Sequence, residues 1–254
     1  MENQTCCPPG SHGRAASHYT EAKGQMETWN LNGKDVETYT VGDKESNTVV
    51  IFVHDIFGIH EGRVKACCDF LAENGCRVIF PDWHMGDDLV ITEDFMSKFK
   101  DWADRHPLDE VSKMVAETAD KVRGQGKKIV TIGFCWGTWV LYHAQKHQIK
   151  MDGCVCMHPS LGAEALYGRN YADLLKAQNC PVMVAAASND AEWSKPGSEW
   201  EETSKSLGFG EKSKFYLFQD MVHGWANRGD VKNELVARDV DLAFKHALDF
   251  INSL

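Results

Sequence analysis

Lys128-Ile129-Val130-Thr131-Ile132 runs directly into Gly133-Phe134-Cys135-Trp136-Gly137, and Thr138-Trp139-Val140-Leu141-Tyr142-His143-Ala144-Gln145 follows. The first five residues are short, apolar and β-branched, the pattern of a buried strand. The last eight can open a helix. A G-x-C-x-G pentapeptide at a strand-to-helix junction has the context of a nucleophile elbow, with cysteine in place of the usual serine. The requirement for glycine is steric. So sharp a turn strains the central residue, and a Cβ on either flank would strike the adjoining strand or helix. The central side chain then stands above the sheet edge at a helix N-terminus, whose partial positive charge favours a thiolate. The competing reading is a buried structural cysteine between two loop glycines, in a chain with nine cysteines.

The flanking sequence extends the strand-helix pattern in both directions. Thr48-Val49-Val50-Ile51-Phe52-Val53 is near-continuously apolar, as in the middle of a parallel sheet, and ends in the polar loop His54-Asp55-Ile56-Phe57-Gly58. Further strands are expected at 76–81, 153–158, 181–187 and 214–218. Helices are expected over 63–74, stopped by Gly75, and over 92–102, 107–123 and 232–251. Upstream, two alternating segments flank Asn32-Gly33, a hairpin signal. The alternation predicts one α/β domain over 26–254, with a doubly wound, mostly parallel sheet and no large cap. Residues 1–25 are polar, with Pro8, Pro9, Gly10 and Gly13, and read as an extended arm over the surface. Its Cys6-Cys7 pair could serve a metal or redox role or be a plain tail.

Composition narrows the function. A hydrophobic content of 43% and a charged content of 25% suit a soluble globular protein. The formal net charge of −10 argues against a nucleic-acid partner or an anionic membrane. The cysteines are odd in number with no C-x-x-C pair, so a disulfide framework is not expected and a reducing, cytoplasmic setting fits. The first residues carry no basic or apolar leader, and no apolar run is long enough for a membrane helix.

In an open α/β sheet, sites gather at the carboxyl ends of strands. Those ends carry His54-Asp55-Ile56, Cys135-Trp136, Asp190 and His223. Nucleophile, acid and histidine follow one another in the order expected of a strand-end triad. His223 lies in His-Gly-Trp, a loop from which an imidazole projects as general base; otherwise it is one surface histidine among eleven. Asp190 ends a strand of small residues and would orient His223, or else cap a helix near Trp193. Asp220 is the rival acid, three residues from His223. Backbone N–H groups of Ile56 and Trp136 would form the oxyanion hole. Asp55 shares that pocket, where a carboxylate beside a thiol keeps the thiol protonated. His143 and His147 are spaced i, i+4 but lack a third ligand and read as a solvated face. Cys154, Cys156 and His158 alternate along one strand face and could converge on a metal, but read as core packing. No metal or other cofactor is expected.

With these residues in place, the chain resembles the dienelactone hydrolase (carboxymethylenebutenolidase-like) family, a branch of the α/β-hydrolases. The resemblance runs from about residue 25 to the C-terminus. It is carried by Asp55-Ile56-Phe57-Gly58, Gly133-Phe134-Cys135-Trp136-Gly137, Asp190 and His223-Gly224-Trp225, and the Cys-Cys-Pro-Pro-Gly-Ser stretch at 6–11 resembles eukaryotic members. It implies Cys135 as nucleophile, Asp190 and His223 as triad partners, and Ile56 and Trp136 as oxyanion donors. In the bacterial enzymes a glutamate before Ile-Phe-Gly holds the cysteine proton until substrate displaces it; here that position is Asp55. They clamp a substrate carboxylate with two arginines. Arg228 falls one position beyond the first, where Asn227 stands, and the loop after Pro81 has no second.

The expected activity is hydrolysis of small esters or lactones through an acyl-enzyme on Cys135, with Phe57, Trp83, Trp136 and Trp225 lining an aromatic pocket. The alternative is a catalytically weak α/β-hydrolase fold used as an interaction module, with the arm as handle for a protein partner. A third reading is redox sensing through Cys135.

Overall fold

Gln25–Leu31 (β1) and Lys34–Val41 (β2) pair antiparallel around Asn32-Gly33. Both turn residues have left-handed φ, 49° and 74°, as an Asn-Gly hairpin turn requires. In this computed structural model, which describes residues 6–15, 21–89, 95–123 and 127–254, six further strands follow. They are Thr48–Val53 (β3), Arg77–Pro81 (β4), Lys128–Phe134 (β5), Gly153–Met157 (β6), Val182–Ala187 (β7) and Lys214–Phe218 (β8). One sheet results, in the order β1-β2-β4-β3-β5-β6-β7-β8. β2 meets β4 antiparallel, and β3 to β8 run parallel. The order reverses around β3 and β5, which places the ends of these strands at a switch point where ligands bind in open α/β sheets.

Helices cover both faces, so the inner strands are apolar on both sides. Val49, Ile51 and Val53 of β3 point into one core layer, and Val50 and Phe52 into the other. The first layer packs against Phe95–Arg105 (α2), Leu108–Arg123 (α3), Trp136–Lys146 (α4), Tyr171–Leu175 (α5) and Glu199–Ser206 (α6). The second packs against Val64–Glu73 (α1), Trp225–Arg228 (α7) and Glu234–Ser253 (α8). α1 stops where Gly75 takes φ +90°, and α8 starts where the Asn233 side chain accepts from Leu235 N.

The expected strands and hairpin are present. α2 runs three residues past the predicted end at 102, and the predicted start at 92–94 lies outside the described residues. Of the short elements between β6 and β8, a 3-10 turn at Glu192–Ser194 falls where a helix near Trp193 was an alternative; the 3-10 turn at Leu161–Tyr167, α5 and α6 were not anticipated. They are too brief to show a helical period. Among the described residues no helix is long and apolar enough to cross a membrane.

Candidate active site

β5 ends at Phe134 and α4 begins at Trp136, which leaves Cys135 alone at the junction. Its φ of 51° and ψ of −113° form a conformation that costs a side-chain-bearing residue about 1–3 kcal/mol. Two glycines make the turn possible. A Cβ on Gly133 would lie 2.7 Å from Thr138 N, and one on Gly137 would lie 2.2 Å from Val53 O. That second approach seats the first turn of α4 against the end of β3, beside the loop carrying Ile56. Ile56 and Trp136 are both fully buried there.

Asp190 and His223 meet across the loops after β7 and β8. His223 Nδ1 lies 2.6 Å from Asp190 Oδ1, and Asp190 Oδ2 accepts from Ala187 N at 2.7 Å. The loops are tied at two more points. Asn189 Oδ1 accepts from His223 N at 2.7 Å, and Ser188 N donates to Met221 O at 2.9 Å. Burial disfavours the imidazolium, but the charge and hydrogen bond of Asp190 outweigh it and push His223 up to about 10. A hydrogen bond and the charge of Cys7 act in the same direction. Asp220 is elsewhere, paired with Arg238 at 2.9 Å on the surface.

Among the described residues of the arm, Pro9, Gly10, Gly13, Arg14 and residues 21–23 lie exposed on the surface as expected, but Cys6, Cys7 and Pro8 enter the site. Cys6 and Pro8 are buried. Cys6 Sγ is 3.2 Å and Cys7 Sγ 3.8 Å from Cys135 Sγ, and Ser160 Oγ donates to Cys135 Sγ at 3.3 Å. Ser160 Oγ also donates to Cys6 O. His12 N donates to His223 O at 2.8 Å, Asn189 Nδ2 to Pro9 O at 3.1 Å, and Arg14 pairs with buried Glu61 at 3.0 Å. Polar backbone of the arm is thus satisfied by the site itself, which lets a polar segment dock on an apolar sheet edge. Cys135 is wholly inaccessible. Burial, then hydrogen bonding with Cys6 and Cys7, raises its pKa well above the ordinary thiol value. Cys7 moves the other way, lowered by hydrogen bonds with Cys135 and Cys6 and by the His223 charge against burial.

Asp55 is not turned toward the thiol. Its Oδ2 pairs with Arg228 Nη1 and accepts from Asn227 Nδ2 at 2.6 Å, and its Oδ1 accepts from Phe57 N at 2.9 Å. Short α7 brings Asn227 and Arg228 side by side onto that carboxylate. Arg228 also donates to His12 O and Gly13 O of the arm and stacks over Phe57 at 4.6 Å. The four predicted aromatics do not form one pocket. Trp83 and Trp136 belong to the first core layer, where the Trp136 ring packs with His54, His84 and Trp102. Trp225 belongs to the second, 4.5 Å from Phe218, because α7 turns its indole under β8.

Ser160, Asn189 and Glu61, near the site, were not singled out in the sequence, and His158 was read as core packing with Cys154 and Cys156. His158 takes φ 39° at the end of β6, and its ring lies 4.9 Å from that of His223. That turn separates it from Cys154 and Cys156, which are core residues with sulfurs 3.7 Å apart. Asn189 was the most accessible to inference, since it adjoins Asp190 at a strand end. His143 is not on a solvated face. It is buried and 2.8 Å from Glu164, while His147 is exposed and bonds Asp109. A cleft of about 660 Å³ is lined in part by Glu164, Arg169, Tyr171 and Trp193, and Cys135 is not among its lining residues.

The sheet order and the elbow define an α/β-hydrolase fold. A crystal structure of a candidate dienelactone hydrolase from Klebsiella pneumoniae superposes with a TM-score of 0.68 at 17% identity, covering 91% of this chain and 98% of that one. Residues 36–254 match the model of the dienelactone hydrolase family, and the chain belongs to that family of hydrolases. An AIM2 family protein of Schizosaccharomyces pombe, itself uncharacterised, is 31% identical over 98% of this chain and 99% of its own length. The hydrolase tropI of Talaromyces stipitatus is 28% identical over 99% of this chain and 96% of its own.

Proposed function

We propose that the chain hydrolyses small esters or lactones by nucleophilic catalysis at Cys135. One observation carries the reading: the Asp190–His223 pair, 2.6 Å apart, is anchored after β7 and β8, on the same carboxyl edge of the parallel sheet as the strained elbow after β5. Substrate enters as the arm withdraws. Withdrawal of the arm removes the Cys7 hydrogen bond and charge that help keep His223 protonated; the neutral imidazole then takes the Cys135 proton, and the thiolate attacks the carbonyl carbon. The oxyanion rests on the Ile56 and Trp136 N–H groups. Collapse of the tetrahedral adduct expels the alkoxide, which takes the proton from His223, and leaves a thioester. Water, deprotonated by His223, then releases the acid and restores the thiol. Withdrawal of the arm also frees Arg228 donors from the His12 and Gly13 carbonyls, and these fit a substrate carboxylate.

Cys135→Ala tests the assignment on a panel of small aryl esters and lactones. The expected loss in kcat/KM is at least about 10³-fold; a variant of unchanged activity removes Cys135 from the mechanism. The second reading, a catalytically weak interaction module, is favoured by the complete burial of Cys135. Rapid His223-dependent labelling of Cys135 by an electrophilic probe at neutral pH opposes that reading, and absent labelling favours it.

A further inference from the structure

The arm brings to the elbow more than a cover. Cys6, Cys7 and Cys135 offer three sulfurs that all lie within 4.8 Å of one another. We propose that these three thiolates form a binding site for a thiophilic d10 metal ion, zinc(II) or copper(I), that holds the arm on the active site.

The geometry is close to that of a bound metal. A Zn–S bond of about 2.3 Å in a tetrahedron sets neighbouring sulfurs about 3.8 Å apart. Cys7 and Cys135 are at 3.8 Å, and Cys6 and Cys135, at 3.2 Å, need to separate by about 0.6 Å for that geometry. A fourth donor is supplied by His223, which hydrogen-bonds Cys7 and must give up its Nε2 proton and shift toward the ion, because only the three sulfurs already lie within 4.8 Å of one another. Its other nitrogen is held by Asp190, the carboxylate–histidine arrangement that orients metal-binding imidazoles. Three sulfurs and one nitrogen make a common structural zinc set, and thiolates also select copper(I). On binding, each cysteine exchanges its proton for a metal bond, with no change of oxidation state. The other cluster of potential ligands, His54, Asp82 and His84, does not compete. His54 Nε2 already accepts from Trp83 N at 2.9 Å, and its Nδ1 bonds Asp55 O at 2.7 Å.

The metal reading stands on the thiol geometry; only its effect on activity rests on the catalytic role of Cys135. The test uses the full chain, stripped with chelator under reducing conditions and then titrated separately with zinc, copper(I) and cobalt(II). One zinc or copper(I) per chain is expected. Cobalt should show intense sulfur-to-metal charge transfer. Cys6→Ser/Cys7→Ser and Cys135→Ser should each lose at least about 90% of the bound metal, while Cys67→Ser keeps it. Circular dichroism and thermal melts confirm that each variant is folded. Metal retained by a folded Cys135→Ser or Cys6→Ser/Cys7→Ser chain overturns the proposal. So does failure of all three metals to bind the wild type, or a Cys6–Cys135 disulfide, two hydrogens lighter, in place of metal in the protein as isolated. Metal should suppress ester hydrolysis at least tenfold, with chelator restoring it. Metal binding in a chain that hydrolyses no ester, stripped or loaded, leaves the site standing and removes the catalytic reading; hydrolysis without metal binding does the reverse.

Discussion

His223 is held by three separate constraints: the Asp190 carboxylate on Nδ1, Asn189 on its backbone N–H and His12 N on its carbonyl. Two of these survive removal of the Asp190 charge, so Asp190→Asn isolates the carboxylate. In the proposed mechanism kcat should fall about 10²- to 10⁴-fold, since the imidazole loses its preferred tautomer and its counter-charge. Stability should respond as well. His223 titrates near 10 in the folded chain and near 6.5 when unfolded, so the folded state binds the proton more tightly. That stabilisation is complete below about pH 6.5 and is lost as pH rises through about 10. Melting temperatures should therefore decline from pH 6.5 to 10 in the wild type and flatten in Asp190→Asn. Equal slopes in the two proteins would show that His223 is neutral in the folded chain.

At the scale of elements, the elbow depends on how closely α4 approaches β3. A methyl on Gly137 would overlap Val53 O at 2.2 Å, and neither a strand end nor a helix start can retreat cheaply. Gly137→Ala should cost about 3 kcal/mol or more in urea-induced unfolding, at the upper end of overpacking effects. The arm is attached differently. Its ties are hydrogen bonds and an ion pair at the rim, with Glu61 receiving Arg14 and the Ala15 N–H. Hydrogen bonds to a charged group contribute about 1.5–3 kcal/mol, less where one partner is as exposed as Arg14. Glu61→Gln should loosen the arm without touching the Asp190–His223 pair, and raise the labelling rate of Cys135 by iodoacetamide about tenfold. An unchanged rate would mean that the remaining ties, at Cys6, Cys7, Pro9, His12 and Gly13, hold the arm without Glu61.

Across the whole molecule, the two core layers are apolar, but the first is crossed by a polar tie. Glu164, in the 3-10 turn after β6, accepts from Trp139 and Arg169 and lies 2.8 Å from His143. Burial opposes the carboxylate, yet these hydrogen bonds hold its pKa down at about 2. The folded chain therefore resists protonating Glu164, and the stability this brings is present above about pH 4.5 and lost as pH falls toward 2. Glu164→Gln should lower stability at neutral pH and remove up to about one proton from the acid limb of the unfolding curve. A wild-type acid slope in the variant would assign acid unfolding to other carboxylates, Asp82 first among them, since it also titrates near 2.

Local chemistry was enough to read the frame. An apolar β-branched run, glycines on both flanks of Cys135 and an Asn-Gly turn each admit few backbone solutions, so strand, elbow and hairpin followed from neighbours in the chain. Asp190 and His223 were legible because strand ends share one edge of a parallel sheet. What tertiary structure alone decided are the contacts between segments with no common period or turn. The arm's descent onto Cys135 spans 129 residues from Cys6. Arg228 and Asn227 capture Asp55 from across the site, and α7 turns Trp225 into the opposite layer. Such contacts are set by which buried polar groups must find partners once the sheet has formed, and a sequence pattern does not encode distance in space. The sequence by itself determined an α/β chain with a cysteine at its elbow; the folded structure decided that the cysteine is enclosed, and that two more thiols and the Ser160 hydroxyl surround it.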